Sequence, residues 1–175
     1  MPSNSLSVRP EARHSPGNPA ESQEQLAVRY RAVRTLSGRL AQPLSAEDQC
    51  LQGMADASPT KWHLAHTTWF FETVVLAALV SAYRPADERY AYFFNSYYES
   101  LGPRQPRPQR GMITRPGLEE VLAYRARIDG LMEDLLAACG PALWPRAAAL
   151  IELGLNHEQQ HQELILTDIK YGLSL

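Results

Sequence analysis

Two cysteines, Cys50 and Cys139, are all that the 175-residue chain contains, and no C-x-x-C pattern joins them. A cysteine-built zinc cluster and a disulfide framework are therefore excluded, and the expected setting is a reducing one, the cytoplasm. Long apolar runs are missing too. The most hydrophobic stretch, "TVVLAALVSAY", is too short to span a bilayer, and the N-terminal segment has no apolar core of a secretory signal. Nor is there an excess of charge: a formal net charge of -2 offers no broad footprint for nucleic acid or an anionic membrane, so any anion binding must be local. Neither an alternating strand pattern nor an internal repeat is present. What remains is a chain with 45% hydrophobic residues, enough to bury one sizeable core and no more.

Residues 1 to 20 are rich in Ser, Pro, Asn and Arg, with few large apolar groups to offset ordering entropy. They read as a disordered tail that includes His14. A domain over 21–175 follows. Ser22 and Gln25 form a capping-box pair, and Leu26, Tyr30, Val33, Leu36 and Leu40 recur at helical spacing, which predicts a first helix. A short helical piece is expected after Ser45. Ser58 as N-cap and Pro59 at the first helical position open a second helix, running to about Tyr83. Residues 84 to 115 hold six aromatics and then a Pro- and Arg-rich run without a sustained helical period. A loop this long and this aromatic is expected to be ordered and functional. A third helix begins near Thr114 to Pro116, carries Leu118, Val121, Leu122, Arg125, Ile128, Leu131, Met132 and Leu135, and stops at Gly140-Pro141. A fourth runs from Pro145 to a Gly172 C-cap. The prediction is an all-α four-helix bundle with a long excursion between helices two and three.

On the fourth helix Leu150, Leu153, His157, His161, Leu164 and Asp168 fall three or four residues apart, which puts both imidazoles on the inward stripe. Neutral histidines one turn apart, with Cβ atoms about 6 Å from each other, can aim at one ion. "HEQQH" also fits the H-E-x-x-H pattern of zinc proteases. Those enzymes take their third ligand downstream, however, and the fourteen residues after His161 supply neither the Gly nor the His of the extended motif. Upstream, "KWHLAHTTWFFE" offers His63 and His66 on a helix that can face the fourth across the core. Spacing does not separate the two; the aromatic flanks Trp62, Trp69 and Phe70 favour His66. Three imidazoles from two facing helices suit Zn with one water or six-coordinate Fe(II), and ligand type does not decide between them.

Three stretches, "SPTKWHLAHTTWFFET", "FNSYYESLGPRQPRPQRG" and "ELGLNHEQQHQELILTDIKYG", resemble the N-terminal DinB-like domain of the ergothioneine-type sulfoxide synthases, or hercynine oxygenases. The resemblance covers roughly residues 22 to 175. It implies a DinB-like bundle holding non-haem Fe(II), with Zn or Ni as alternatives, on His66, His157 and His161. It further implies O2-dependent joining of cysteine or γ-glutamylcysteine to the imidazole of hercynine. Gln160 takes the place of the hercynine contact, and Tyr97 and Tyr98 the place of tyrosines that line the iron pocket, where a phenol can supply a proton or hydrogen bond.

Arg104, Arg107, Arg110 and Arg115 fall within twelve residues with no acid among them. Guanidinium forks suit carboxylates, and both implied substrates carry them, so Arg104, Arg107 and Arg110 are expected to bind substrate. Glu158, the base in a protease reading, is expected to have no such role and to be an outlying or surface carboxylate. Family members that complete the reaction carry a second, C-terminal domain of the formylglycine-generating-enzyme type, whereas this sequence stops at Leu175. The expectation is an incomplete catalyst, completed by a longer product, a separate chain bearing that domain, or a homo-oligomer.

Overall fold

In the computed structural model, residues 22–96 and 102–175 are described; the expected N-terminal tail, Tyr97 and Tyr98 lie outside them. Helix α1, Gln23–Ala41, starts with the anticipated box: Ser22 Oγ accepts the Gln25 N–H while the Gln25 side chain accepts from Ser22 N–H. The inward stripe is not the one the apolar spacing suggested. Leu26, Tyr30, Arg34, Ser37 and Ala41 face the core, and Leu36 is 44% exposed. Polar residues took that face because they have buried partners across the bundle.

The second rod begins with α2, Thr60–Phe70, which continues through a π-helical segment, Phe71–Leu76, to a last turn, Ala77–Leu79. All eleven residues of α2 are buried, since neighbouring elements cover it on every side. Its polar side chains are accordingly satisfied from within: Lys61 Nζ donates to the Ile113 carbonyl at 3.0 Å, and Thr68 Oγ1 to Leu64 O at 2.8 Å. Ser58 does not cap this rod. Its hydroxyl accepts from Arg110 Nη1 at 2.9 Å and its N–H reaches Asp168, leaving Pro59 at the cap position.

The long connection contains more helix than its sequence period predicts, with α3 at Tyr90–Phe94 and a 3-10 segment at Arg107–Met112. Helix α3 ends against α2, and its last carbonyls, which have no partner within so short a helix, accept from side chains there. Phe93 O takes the Trp62 indole N–H at 2.9 Å, and Phe94 O takes His66. Glu72, buried in the π segment, anchors the start of the connection by accepting from Tyr83 Oη, Ala86 N–H and Tyr124 Oη.

Helices α4, Leu118–Ala138, and α5, Trp144–Gly172, complete the bundle. Ile128, Met132, Ile151, Leu155 and Ile165 meet Leu26, Tyr30, Trp62 and Phe71 in one core, while Leu122 and Leu153, expected inside, are exposed. Full burial of such side chains contributes about 1.5–3 kcal/mol each. Gly154 on α5 makes room for Phe71: a Cβ there would lie 2.5 Å from its Cε1. Gly172 is the last helical residue rather than a left-handed cap, and its bare Cα admits Leu51, whose Cδ2 would be 2.7 Å from a Cβ. No strand occurs among the described residues, and none of their helices is long and apolar enough to cross a membrane.

Candidate metal centre

Helices α2 and α5 pack face to face, and this brings His66, nearly two turns into the buried rod, against His157 and His161. One ring nitrogen from each histidine converges so that all three lie within 4.8 Å of one another. His66 Nε2 and His157 Nε2 are 3.1 Å apart. Two nitrogens bound at about 2.1 Å and at right angles around one ion would be about 3.0 Å apart, so this separation suits neighbouring ligands.

The hydrogen-bonding state also fits. The Phe94 carbonyl can only accept, so His66 Nδ1 carries the proton and Nε2 presents its lone pair to the cluster. His157 Nδ1 is buried without a partner, and its Nε2 points at His66. Burial disfavours the charged imidazolium throughout. It lowers His157 to about 4 despite the neighbouring Glu158 charge, holds His66 well below its ordinary value with help from His157, and depresses His161 as well, with His66, His63 and His157 around it. Neutral imidazole is the form a metal takes.

Aromatic planes fix the rings. Trp62 stacks on His66 with centroids 4.6 Å apart and planes 10° from parallel, and Phe70 stacks on His157 at 4.2 Å. Buried Arg110 lies over the other part of this stack, its guanidinium carbon 3.5 Å from the Trp62 ring centroid, and donates to Ser58 Oγ and Ser96 Oγ. His63, the alternative left open by spacing, is a neighbour of the trio. Its Nδ1 is 2.8 Å from His161 Nδ1, and its Nε2 is 3.0 Å from Asp168 Oδ2. Burial pushes the Asp168 carboxyl up, but the hydrogen bonds from His63 and the Ser58 N–H bring it below its ordinary value.

A cavity of about 460 Å³ opens on the cluster, lined by the trio together with His63, Trp62, Arg107, Arg110, Ser96 and Gln160. Gln160 is exposed at its edge, Arg107 half-buried and Arg110 buried. Arg104 is not among the lining residues. A smaller, mostly apolar cavity of about 170 Å³ lies beside Trp69 and Glu72, away from the histidines.

Glu158 departs most from expectation, being fully buried. Its Oε1 accepts from Ser37 Oγ and Arg125 Nη2, both at 2.6 Å, and its Oε2 accepts from Arg34 Nη1 at 2.9 Å. Arg34 Nε reaches Asp129 at 2.6 Å. Burial pushes the Glu158 carboxyl up, yet the two guanidinium groups prevail and bring it to about 2. Nothing local in the sequence signals this network: Arg125 shares the stripe of Val121 and Ile128, but Arg34 lies off the apolar stripe predicted for α1, and neither points to Glu158 until the helices are paired.

A helical bundle with three inward histidines on two facing helices and a cavity above them defines a class: an all-α domain whose buried histidine triad could hold a metal ion. Within that class the chain belongs to the DinB superfamily, whose family description matches residues 29–165. Members of that superfamily are often metal-dependent enzymes. A search of curated proteins finds no match to the chain.

Proposed function

We propose that the domain holds Fe(II) on His66, His157 and His161 and serves the O2-dependent joining of cysteine or γ-glutamylcysteine to hercynine, the reaction of ergothioneine-type sulfoxide synthases. The observation that carries this reading is the shared cavity: three neutral imidazoles at its floor, with Gln160, Arg107 and Arg110 in its wall. A bound iron would supply open coordination positions and the means of activating oxygen.

The side chains of this chain do the rest. Gln160 presents an amide that can both donate to and accept from an imidazole substrate, and Arg107 and Arg110 attract its carboxylate and that of the thiol. Trp62 and Phe70 keep the cluster dry. Arg104 joins the substrate set, and Tyr97 and Tyr98 the proton-donating set, through the sequence resemblance. The two tyrosines directly follow Ser96, which lines the cavity. A domain of the formylglycine-generating-enzyme type, in the same polypeptide or in a separate chain, or a second copy of this domain, would complete the cleft.

Anaerobic titration with Fe(II) tests the site. One ion per chain is expected, with binding lost in His157→Ala, and stoichiometric binding that survives loss of both His66 and His157 sinks the assignment. Adding hercynine, thiol and O2, with a second domain of the formylglycine-generating-enzyme type present in cis or in trans, should yield a sulfoxide detectable by mass spectrometry. The same donor set suits zinc, which supports a second reading: a stand-alone metal-dependent thiol transferase or hydrolase. Zinc-dependent turnover of a thiol without oxygen would favour it. Absence of any divalent metal binding would favour a non-catalytic interaction module instead.

A further inference from the structure

We propose that His63 and Asp168 are positioning residues of the metal centre, a carboxylate–imidazole–imidazole chain that fixes the proton of His161 on Nδ1 and its lone pair on Nε2. The inference rests on the reading of His66, His157 and His161 as ligands.

The argument follows one proton at a time. Asp168 Oδ2 faces His63 Nε2 at 3.0 Å and also accepts the Ser58 N–H at 2.8 Å. A carboxylate only accepts, so Nε2 of His63 carries the proton. A neutral imidazole has one N–H, and Nδ1 of His63 is then a bare acceptor. The group 2.8 Å from it is Nδ1 of His161, which must donate. His161 is left with Nε2 as its only lone pair, the condition for ligating a metal. The opposite tautomer of His63 would set one lone pair against the carboxylate, inside a site where His63 is 2% exposed.

The chain also ties the two helices that carry the ligands. Asp168 lies seven residues beyond His161 on α5, while His63 and the Ser58 N–H belong to α2 and its entry. His66 obtains the same service from a backbone carbonyl, that of Phe94. His157 has none, its Nδ1 being buried without a partner. Two ligands are thus oriented before a metal arrives, and the third adjusts to it.

Long-range nitrogen–proton NMR on the metal-free protein at neutral pH reads the tautomers directly. Proton on Nδ1 for His161 and on Nε2 for His63 are expected; a His161 proton on Nε2 overturns the proposal. Zn(II) affinity, measured by competition with a chelator, should fall 10–100-fold in His63→Phe. His63→Gln, whose carbonyl can accept from His161 while its amide donates to Asp168, should stay within a few-fold of wild type. Equal losses in the Phe and Gln variants would mark His63 as a packing residue only. If His63→Phe does not fold, the wild-type tautomers and the Gln variant still decide. A wild type with these tautomers that binds no Zn(II) defeats the ligand reading while supporting the proton assignment, so the two failures are distinguishable.

Discussion

Glu158 follows His157 in the chain, yet one residue turns the helix by about 100° and sends the two side chains to different neighbours. The imidazole joins the histidine cluster and the carboxylate joins Arg34 and Arg125. Glu158→Ala would leave two buried guanidinium groups without their shared anion and should cost about 3–5 kcal/mol, read as a lower urea midpoint. The same pairing gives a pH signature. The carboxyl is depressed from 4.5 to about 2 in the folded protein, so its contribution is fully present above pH 4.5 and is lost as pH falls towards about 2. A shift of that size corresponds to about 3 kcal/mol, and Glu158→Gln should flatten the acid limb of the stability curve. At this scale the sequence was uneven as a guide. Spacing left His63 open beside His66, whereas the candidate pair His157 and His161 could be found because its spacing and inward stripe are local properties. Glu158 could not, since its character depends on arginines 124 and 33 residues away that only folding brings to it.

At the level of elements, the long helices were legible from their period and α1 from its cap, while the caps expected at Ser58 and Gly172 and several helix faces were not. The Ser22 box marks the start of α1, but a purely apolar stripe predicted Leu36 inside, where the fold instead seats Arg34 and Ser37 against Glu158. The short α3 escaped notice because five residues are too few to display a 3.6-residue period. The π segment likewise carries no periodic signal, although Phe71 within it dictates a feature of the opposite helix. With Phe71 Cε1 2.5 Å from a Cβ at position 154, Gly154→Ala should overpack the α2–α5 contact. The intrinsic helix gain of about 1 kcal/mol offsets part of an overpacking penalty of about 1–3 kcal/mol, leaving a net loss of about 1 kcal/mol. Adding Phe71→Leu to Gly154→Ala should recover more stability than the two single changes predict by simple addition, and a double-mutant cycle on thermal unfolding measures that coupling.

The whole molecule places its candidate ligands on two helices that already share the core, so an ion held by them would act as a further cross-link between α2 and α5. Binding to the native state alone raises stability by mass action, and the unfolded chain retains only the local pair His157 and His161, without His66. At a metal concentration 100 times the dissociation constant the increment is about 2.7 kcal/mol. For a domain of this length each kcal/mol moves Tm by about 2–4 °C, so removing the metal with a chelator should lower Tm by about 5–10 °C. His66→Ala should abolish that difference, because it removes the candidate ligand that joins α2 to the pair. His63→Gln should largely keep it. The comparison of loaded and stripped protein by calorimetry separates a metal that bridges the bundle from one held by the α5 pair alone: if the chelator shifts wild type and His66→Ala equally, the ion does not span the two helices.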